Sequence, residues 1–453
     1  MTHQRDDSAC EAVLTKQEQI AYRAKHHPRE AFTALGHNLT KAWLETAYHR
    51  TRKHGAVGID GVTSQDYAES LDKNLERLSD LARSGRYHAP PVRRGYVPKP
   101  GKTETRPIGM PSFEDKILQR AVTMILEPIY EQDFHDCSYG FRPKRSAHQA
   151  LESLWQQTME SGGGWILEVD IRKFFDTLDR GHLRAFLQRR VRDGVLLRLI
   201  GKWLNAGVLE EGVWTHPETG SPQGGVISPM LANVYLHYVL DEWFAQEVQP
   251  RLKGKAFLVR FADDFVMGFT HEEDARRVMA VLGKRFGKYG LTLHPDKTRM
   301  VPFRRPPLRK KPRGGPNGDR PGVFDLLGFT HFWARSRQGK WVVRRKTSSS
   351  RFTRGLRKIS EWCRKNRHRP IAEQCQKLSQ KLRGHYAYYG ITGNSPALNS
   401  FREAVKHAWG KWLRRRRRKN RPPWSWFTRI LERYRLPPAK AIHSVCRQRC
   451  ATT

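Results

Sequence analysis

The spacing of apolar positions predicts helices interrupted by short strands. Between residues 10 and 53, Leu14, Ile20, Phe32, Leu35, Leu39, Trp43 and Tyr48 recur at helical intervals with polar residues between them. Gly55 to Gly61 breaks the rhythm, and Leu71, Leu75, Leu78 and Leu81 form one stripe of a second helix. Val92 to Lys102 reads as a hairpin with a basic turn. Asp115 to Tyr130, His182 to Leu204, Pro229 to Glu247 and Asp274 to Tyr289 read as further helices. Trp165 to Asp170 is a short apolar strand ending in an acid, and Ala256 to Phe269 holds two apolar strand halves around Ala262-Asp263-Asp264. Leu291–Leu293 and Asp325–Phe332 are shorter strands. From Thr347 to about Trp412 the rhythm is helical throughout, and a short helical region follows Pro422-Pro423. Helices alternating with short strands predict an α+β body followed by an all-α end. Residues 304–322 are rich in Pro, Gly and basic residues, which predicts a flexible surface insertion.

Charge divides the chain in the same place. The 453 residues carry 83 Lys plus Arg against 44 Asp plus Glu, a net +39. Arg335 to Thr453 holds 33 Lys/Arg against only Glu361, Glu373, Glu403 and Glu432, a net +29 in 119 residues. The preceding residues carry only +10. A compact surface this basic implies a polyanionic partner. The basic end also contains Trp333, Trp341, Trp362, Trp409, Trp412, Trp424 and Trp426, so it reads as folded helices rather than a loose tail. No apolar run is long enough to span a membrane, and the first 30 residues carry Asp6, Asp7, Glu11, Glu18 and Glu30 and lack the apolar core of a secretory signal. The six cysteines are scattered with no Cys-x-x-Cys pair, so neither a zinc site nor a disulfide framework is expected, and a reduced cytoplasmic setting is.

The candidate chemistry lies in the acids that end strands. Asp263 and Asp264 sit between two apolar strand halves, where paired carboxylates are unfavourable unless a cation neutralises them. Hard divalent ions take oxygen ligands, and Asp170 ends another strand. If those strands are neighbours, Asp170 and Asp263 can share a pair of Mg²⁺ ions suited to phosphoryl transfer, with Mn²⁺ a possible substitute.

Seven ordered motifs carry a family resemblance. Arg106-Pro-Ile-Gly-Met-Pro111 precedes Asp115-Lys-Ile-Leu-Gln119, and Tyr139-Gly-Phe-Arg-Pro143 follows. Asp170-Ile-Arg-Lys-Phe-Phe175-Asp176 comes next, then Gly220-Ser-Pro-Gln-Gly-Gly-Val-Ile-Ser-Pro229 with Leu231-Ala-Asn233. Phe261-Ala-Asp-Asp264, Gly290-Leu-Thr-Leu-His-Pro-Asp-Lys297 and Leu326-Leu-Gly-Phe329 complete the set. The chain resembles the reverse transcriptases encoded within group II introns, which also act as intron maturases. Leu382-Arg-Gly-His-Tyr386-Ala-Tyr388-Tyr389-Gly390 resembles their maturase, or thumb, domain. Phe261 stands where the family usually has Tyr, which keeps the ring and loses the hydroxyl.

The resemblance implies a right-hand polymerase. Residues 1–90 would be an N-terminal helical extension and fingers, 91–335 the fingers and palm with an antiparallel sheet, and 345–453 the helical RNA-binding thumb. It implies that Asp170 and Asp263 hold the metals, with Asp264 as an accessory acid. Phe175 would be a steric gate against a 2′-hydroxyl. Arg106, with Lys99 or Lys102, would place charge at the triphosphate. Gln223 would approach the nucleotide from its Gly-rich turn. Lys297 is either a proton donor to pyrophosphate or a salt-bridged surface lysine. Arg383 with Tyr386, Tyr388 and Tyr389 would contact RNA, although each Tyr reads equally as helix core. Arg414, Arg415, Arg416, Arg417 and Arg418 would grip phosphates.

The implied partners are the group II intron RNA, a template RNA–primer duplex, target DNA and dNTPs, with no membrane and with monomer or dimer left open. The implied role is RNA-directed DNA synthesis with maturase-assisted splicing and retrohoming by target-primed reverse transcription. Nothing after Arg421 supplies an endonuclease pattern, so an endonuclease-lacking subgroup is expected. A splicing-only maturase, and a reverse transcriptase recruited to defence or a retron-like role, are the alternatives.

Overall fold

The computed structural model describes residues 2–98, 105–210, 213–215, 224–307, 322–416 and 421–443. Lys99, Lys102, Gln223, Arg417, Arg418, Cys446, Cys450 and most of the 304–322 insertion lie outside them. The chain forms two compact units, Met1–Ala150 with Leu167–Arg299, and Leu151–Ile166 with Met300–Thr453. The division falls near residue 300.

The elements run in order as α1 (Thr2–His26), α2 (Lys41–Arg50), α3 (Ser64–Ala68), α4 (Leu71–Arg83), β1 (Val92–Pro98), β2 (Thr105–Met110), α5 (Phe113–Asp133) and α6 (Ala147–Ser161). Then come β3 (Trp165–Val169), α7 (Phe174–Thr177), α8 (Arg180–Arg190), α9 (Gly194–Asn205), β4 (Val208–Glu210), β5 (Val213–Thr215) and α10 (Ser228–Leu236). β6 (Ala256–Phe261), β7 (Asp264–Phe269), α11 (Glu272–Lys288) and β8 (Arg299–Pro302) follow. The last are β9 (Phe324–Leu326), β10 (Phe329–Arg335), β11 (Trp341–Thr347), α12 (Ser349–Lys365), α13 (Ile371–Tyr389), α14 (Ser395–Leu413) and α15 (Trp424–Arg433). Among the described residues no helix is long and apolar enough to cross a membrane.

In the first unit, α5 is the central helix. Ser112 caps it by accepting from the Asp115 amide at 3.1 Å, and Ile117, Leu118, Ala121, Val122 and Ile125 are fully buried. Two expected helices each divide in two. The helix expected over residues 10–53 stops at His26, ahead of Pro28, and resumes at Lys41. The buried Arg190 guanidinium donates to the carbonyls of Ala24, His27 and Glu30, holding the end of α1. The helix expected over 182–204 breaks at Val191–Asp193, because Asp193 caps α9 through the Leu196 amide at 2.9 Å. Its other carboxylate oxygen accepts from the Leu35 and Gly36 amides at 2.6 and 2.9 Å. One sheet has the order β2-β1-β4-β5. In a second sheet β7 lies between β6 and β3.

In the second unit, β10 pairs with β9 and β11. Most of the helix α6, which the sequence reading did not name although Leu151, Leu154, Trp155 and Thr158 recur at helical spacing, belongs here. Trp155 Nε1 donates to the Val343 carbonyl at 2.9 Å, and Arg345 donates to the Leu151 carbonyl at 3.1 Å. Those bonds tie residues 151–166 to β11. The basic end folds as expected into helices around an apolar core of Ile359, Leu378, Leu382, Phe401, Val405, Trp409 and Phe427. Trp409 is fully buried and its Nε1 donates to Gln374 Oε1 at 3.0 Å. The charge is carried outside, with Arg351, Arg357, Lys358, Arg364 and Lys365 exposed on α12.

Candidate active site

The acidic sites belong to neighbouring strands of one sheet, Asp170 following β3 and Asp264 opening β7. Asp170 directly follows β3. The strand continues past it through an Ile171↔Leu293 bridge and a bond from the His294 amide to the Asp170 carbonyl at 2.8 Å. This fixes the Asp170 backbone against the turn that carries Lys297. Lys297 Nζ then donates to Asp170 Oδ2 at 2.7 Å, with both side chains partly in solvent.

Asp263 and Asp264 lie at the β6–β7 hairpin. Phe261 pairs with Asp264, so Ala262 and Asp263 form a two-residue turn. Ala262 has a φ of 58°, the left-handed region where such a turn favours glycine. A non-glycine residue there costs about 1–3 kcal/mol, and such strain concentrates at functional sites. Asp263 is half-buried and Asp264 exposed.

The three carboxylates are oxygen donors of the kind that hard divalent cations take. Among the described residues no cluster of three or more His, Cys, Asp or Glu forms a dedicated metal cage. Mg²⁺ in phosphoryl-transfer sites is commonly held by one or two carboxylates plus substrate phosphates, so this donor set fits a metal bound together with substrate.

Phe175 lies on α7, which opens after Lys173 at a φ of 48°. Its neighbour Phe174 is buried against Tyr235, whereas Phe175 is half-buried. Of the two rings, Phe175 is therefore the more accessible. Arg106 pairs with Val97 across the β1–β2 hairpin, and its side chain is outside the described parts of the molecule.

The sequence reading missed the support beneath the Gly-rich turn. Asp115 is buried and accepts from Tyr87 Oη at 2.8 Å and Trp203 Nε1 at 2.6 Å. Its second oxygen accepts from Gln119 Nε2 at 2.9 Å, and Gln119 Oε1 accepts from the Ile227 amide at 3.3 Å. Burial raises the Asp115 carboxyl to about 6, opposed by its hydrogen bonds to Tyr87, Trp203 and Gln119. Gly224, at a φ of 122°, lies so close to β2 that an added Cβ would meet the Gly109 carbonyl at 2.3 Å. A signal was available, because Asp115 and Gln119 are polar residues on the same helical stripe as Val122.

In the second unit the tyrosines divide. Tyr386 follows the core reading, at 3% exposure with its hydroxyl donating to the Pro437 carbonyl. Tyr388 and Tyr389 are half-buried against Phe329, and Tyr388 Oη donates to the Leu327 carbonyl at 2.8 Å. Arg383 is exposed. Arg414 donates to the Pro422 carbonyl at 2.6 Å, and Arg416 donates to the carbonyls of Arg367 and Arg369. Arg415 is exposed and lies over the Trp412 ring at 5.0 Å.

Comparison with known proteins decides the family. Residues 97–331 match the model of the reverse transcriptase (RNA-dependent DNA polymerase) family. The chain belongs to the reverse transcriptase family. Residues 351–431 match the group II intron maturase-specific domain, which bears out the resemblance carried by the motifs. Protein YkfC of Escherichia coli is 35% identical over 274 residues, 54% of this chain and 71% of the relative. The group II intron-encoded protein LtrA of Lactococcus lactis is 35% identical over 230 residues, 51% of this chain and 38% of LtrA. An uncharacterised 91 kDa protein in the cob intron of Schizosaccharomyces pombe is 32% identical over 254 residues, 55% of this chain and 30% of that protein. The matched part thus spans under half of the two intron proteins.

Proposed function

We propose that this chain is an RNA-directed DNA polymerase that also binds a group II intron RNA as its maturase, and that it serves splicing and retrohoming by target-primed reverse transcription. The observation that carries the catalytic reading is that β3, which Asp170 follows, lies beside β7, which Asp264 opens, with Lys297 bonded to Asp170. Two Mg²⁺ ions, held by Asp170 and Asp263 with Asp264 beside them, would supply charge neutralisation and an activated primer hydroxyl.

The chain's own residues do the rest. Phe175 excludes a 2′-hydroxyl beneath the incoming sugar. Arg106 and Lys99 lend charge to the triphosphate, and Gln223 orients the nucleotide from its turn. Lys297 provides a proton for the departing pyrophosphate oxygen. In the second unit, the exposed cations of α12, with Arg383 and Arg415, follow RNA phosphates. The maturase domain match and the net +29 of the last 119 residues support this assignment. The likeness to an intron-encoded protein supports an intron RNA as the partner.

The test is oligo(dT) extension on poly(rA) with Mg²⁺, run beside filter binding of a structured group II intron RNA. Incorporation together with intron RNA binding that exceeds binding to an unstructured RNA of equal length is expected. Absence of incorporation with either Mg²⁺ or Mn²⁺ overturns the polymerase reading.

A further inference from the structure

The Asp263 turn rests on a charged group that none of the assigned roles uses. Arg260, on β6, has a fully buried side chain, and so does its partner Asp241. Arg260 Nε donates to Asp241 Oδ1 at 2.8 Å, and Nη2 donates to Asp241 Oδ2 at 2.5 Å. Nη1 donates to Asn233 Oδ1 at 3.0 Å and to the Ala262 carbonyl at 3.1 Å. Asn233 Nδ2 in turn donates to the Gly140 carbonyl at 2.7 Å. Gly140 walls the turn from the other side, since a Cβ there would meet the Ala262 amide nitrogen at 2.3 Å. The backbone of Arg260 is held as well. Its amide donates to the Cys137 carbonyl at 2.8 Å, and its carbonyl accepts from the Tyr139 amide at 2.9 Å. Asp241 lies in a π-helical stretch, His237–Asp241, that continues α10. Such wide turns are rare and occur often at functional sites.

A hydrophobic side chain at position 260 would fill this space without requiring a buried partner, and a buried ion pair is poor evidence of stabilisation for its own sake. What the guanidinium supplies is geometry. Its planar fork bonds Asp241, Asn233 and Ala262 at once, which the single nitrogen of a lysine cannot. The bond to Ala262 holds the carbonyl of the strained left-handed residue immediately before Asp263.

We infer that Arg260 is a positioning residue, which with Asp241 and Asn233 forms a buried clamp that sets the orientation of the metal-binding Asp263 turn. The inference rests on the polymerase reading above for what Asp263 does, but the clamp itself can be tested without polymerisation. Arg260→Lys and Asn233→Ala are made in the full chain. Melting by circular dichroism gives the folded fraction, and electron paramagnetic resonance of free Mn²⁺ gives metal affinity. Extension of a template–primer gives kcat and the dNTP KM. Expected is a melting transition within a few degrees of wild type. With it, Mn²⁺ binding weakens by about fivefold or more and kcat falls by about 10- to 100-fold, with KM within about twofold. The clamp is overturned if Mn²⁺ affinity, corrected for folded fraction, equals wild type in both variants, since a merely structural role would leave it unmoved. If wild type itself incorporates no nucleotide, the polymerase reading fails, while the Mn²⁺ comparison still decides the clamp.

Discussion

Lys297 Nζ lies 2.7 Å from Asp170 Oδ2, so the two readings open for this lysine meet in one bond. The lysine is salt-bridged, and its partner is the acid assigned to the metals. An exposed ion pair of this kind contributes little stability, so its value lies in local charge. It neutralises Asp170, and under the proposed function its ammonium would protonate the leaving pyrophosphate. Lys297→Ala is expected to lower the single-turnover incorporation rate by roughly 10²–10⁴-fold, the range of general acid catalysis. Mn²⁺ affinity should not weaken, because a competing cation has been removed. A variant that incorporates at the wild-type rate leaves Lys297 as a surface ion pair only.

Asp263→Ala combined with Asp264→Ala should abolish cDNA synthesis and leave RNA-assisted splicing intact. Asp264 is exposed and Asp263 half-buried, so the melting transition should move by no more than about 2–4 °C. Residual extension above background in the double variant would remove these acids from the metal site.

The acids, the hairpin and the basic helical end were legible because each leaves a local pattern. An apolar–Asp–Asp–apolar run needs no long-range information to be read as a charged turn between strands. The breaks at Pro28 and Asp193 were not read although both signals are local, a proline just past α1 and an aspartate capping the Leu196 amide; what lay out of reach was the distant ties, Arg190 to the end of α1 and Asp193 to the Leu35 and Gly36 amides. The helix α6 was passed over although Ala150, Leu151, Leu154 and Thr158 recur on one helical face and are buried; only its tie to β11, through Trp155 and Val343, needed the tertiary structure. The tyrosines of α13 escaped for another reason. Their spacing is the same for a core face as for a binding face, and only the Pro437 and Leu327 carbonyls show where Tyr386 and Tyr388 are anchored. The Arg260 clamp is another tertiary fact, assembled from residues 140, 233, 241, 260 and 262.

Phe175 is the accessible ring of the Phe174–Phe175 pair, and this decides which one to alter. Phe175→Ala should admit ribonucleotides, reducing the preference for dNTP over NTP by roughly 10- to 200-fold in kcat/KM ratios. Phe174→Ala should instead lower the melting temperature, because that ring is buried against Tyr235. Unchanged selectivity in the Phe175 variant would make it a packing residue as well.

Asp115 gives the molecule a pH dependence of definite sign. Its carboxyl is held at about 6 in the folded chain, against an ordinary value of 3.8. The unfolded chain therefore releases this proton first. The folded state loses up to about 3 kcal/mol from this group as pH rises from about 4 to 6, and the loss is complete above that window. Asp133, also raised to about 6 by burial, adds a slope of the same sign, so the comparison must be made against a variant. Asp115→Asn should gain on wild type by about that amount between pH 4 and 6.5 in urea unfolding. A wild-type-minus-variant difference that stays flat across the window would mean the carboxyl titrates normally.

The basic end offers a prediction that separates two kinds of arginine. Arg357, Lys358, Arg364 and Lys365 are exposed on α12, whereas Arg414 and Arg416 already donate to carbonyls of their own unit. Counterion release depends on cations that reach phosphates, so changing the four α12 residues to Gln should flatten the log K against log salt slope for RNA. The expected change is about 0.7–0.9 per lost contact, with the melting transition held. Arg416→Gln should do the reverse. It unties the carbonyls of Arg367 and Arg369 and so lowers the melting temperature, with little change in the salt slope. If Arg416→Gln flattens the slope and the α12 variant does not, then the arginine run, rather than the face of α12, is where this unit meets RNA.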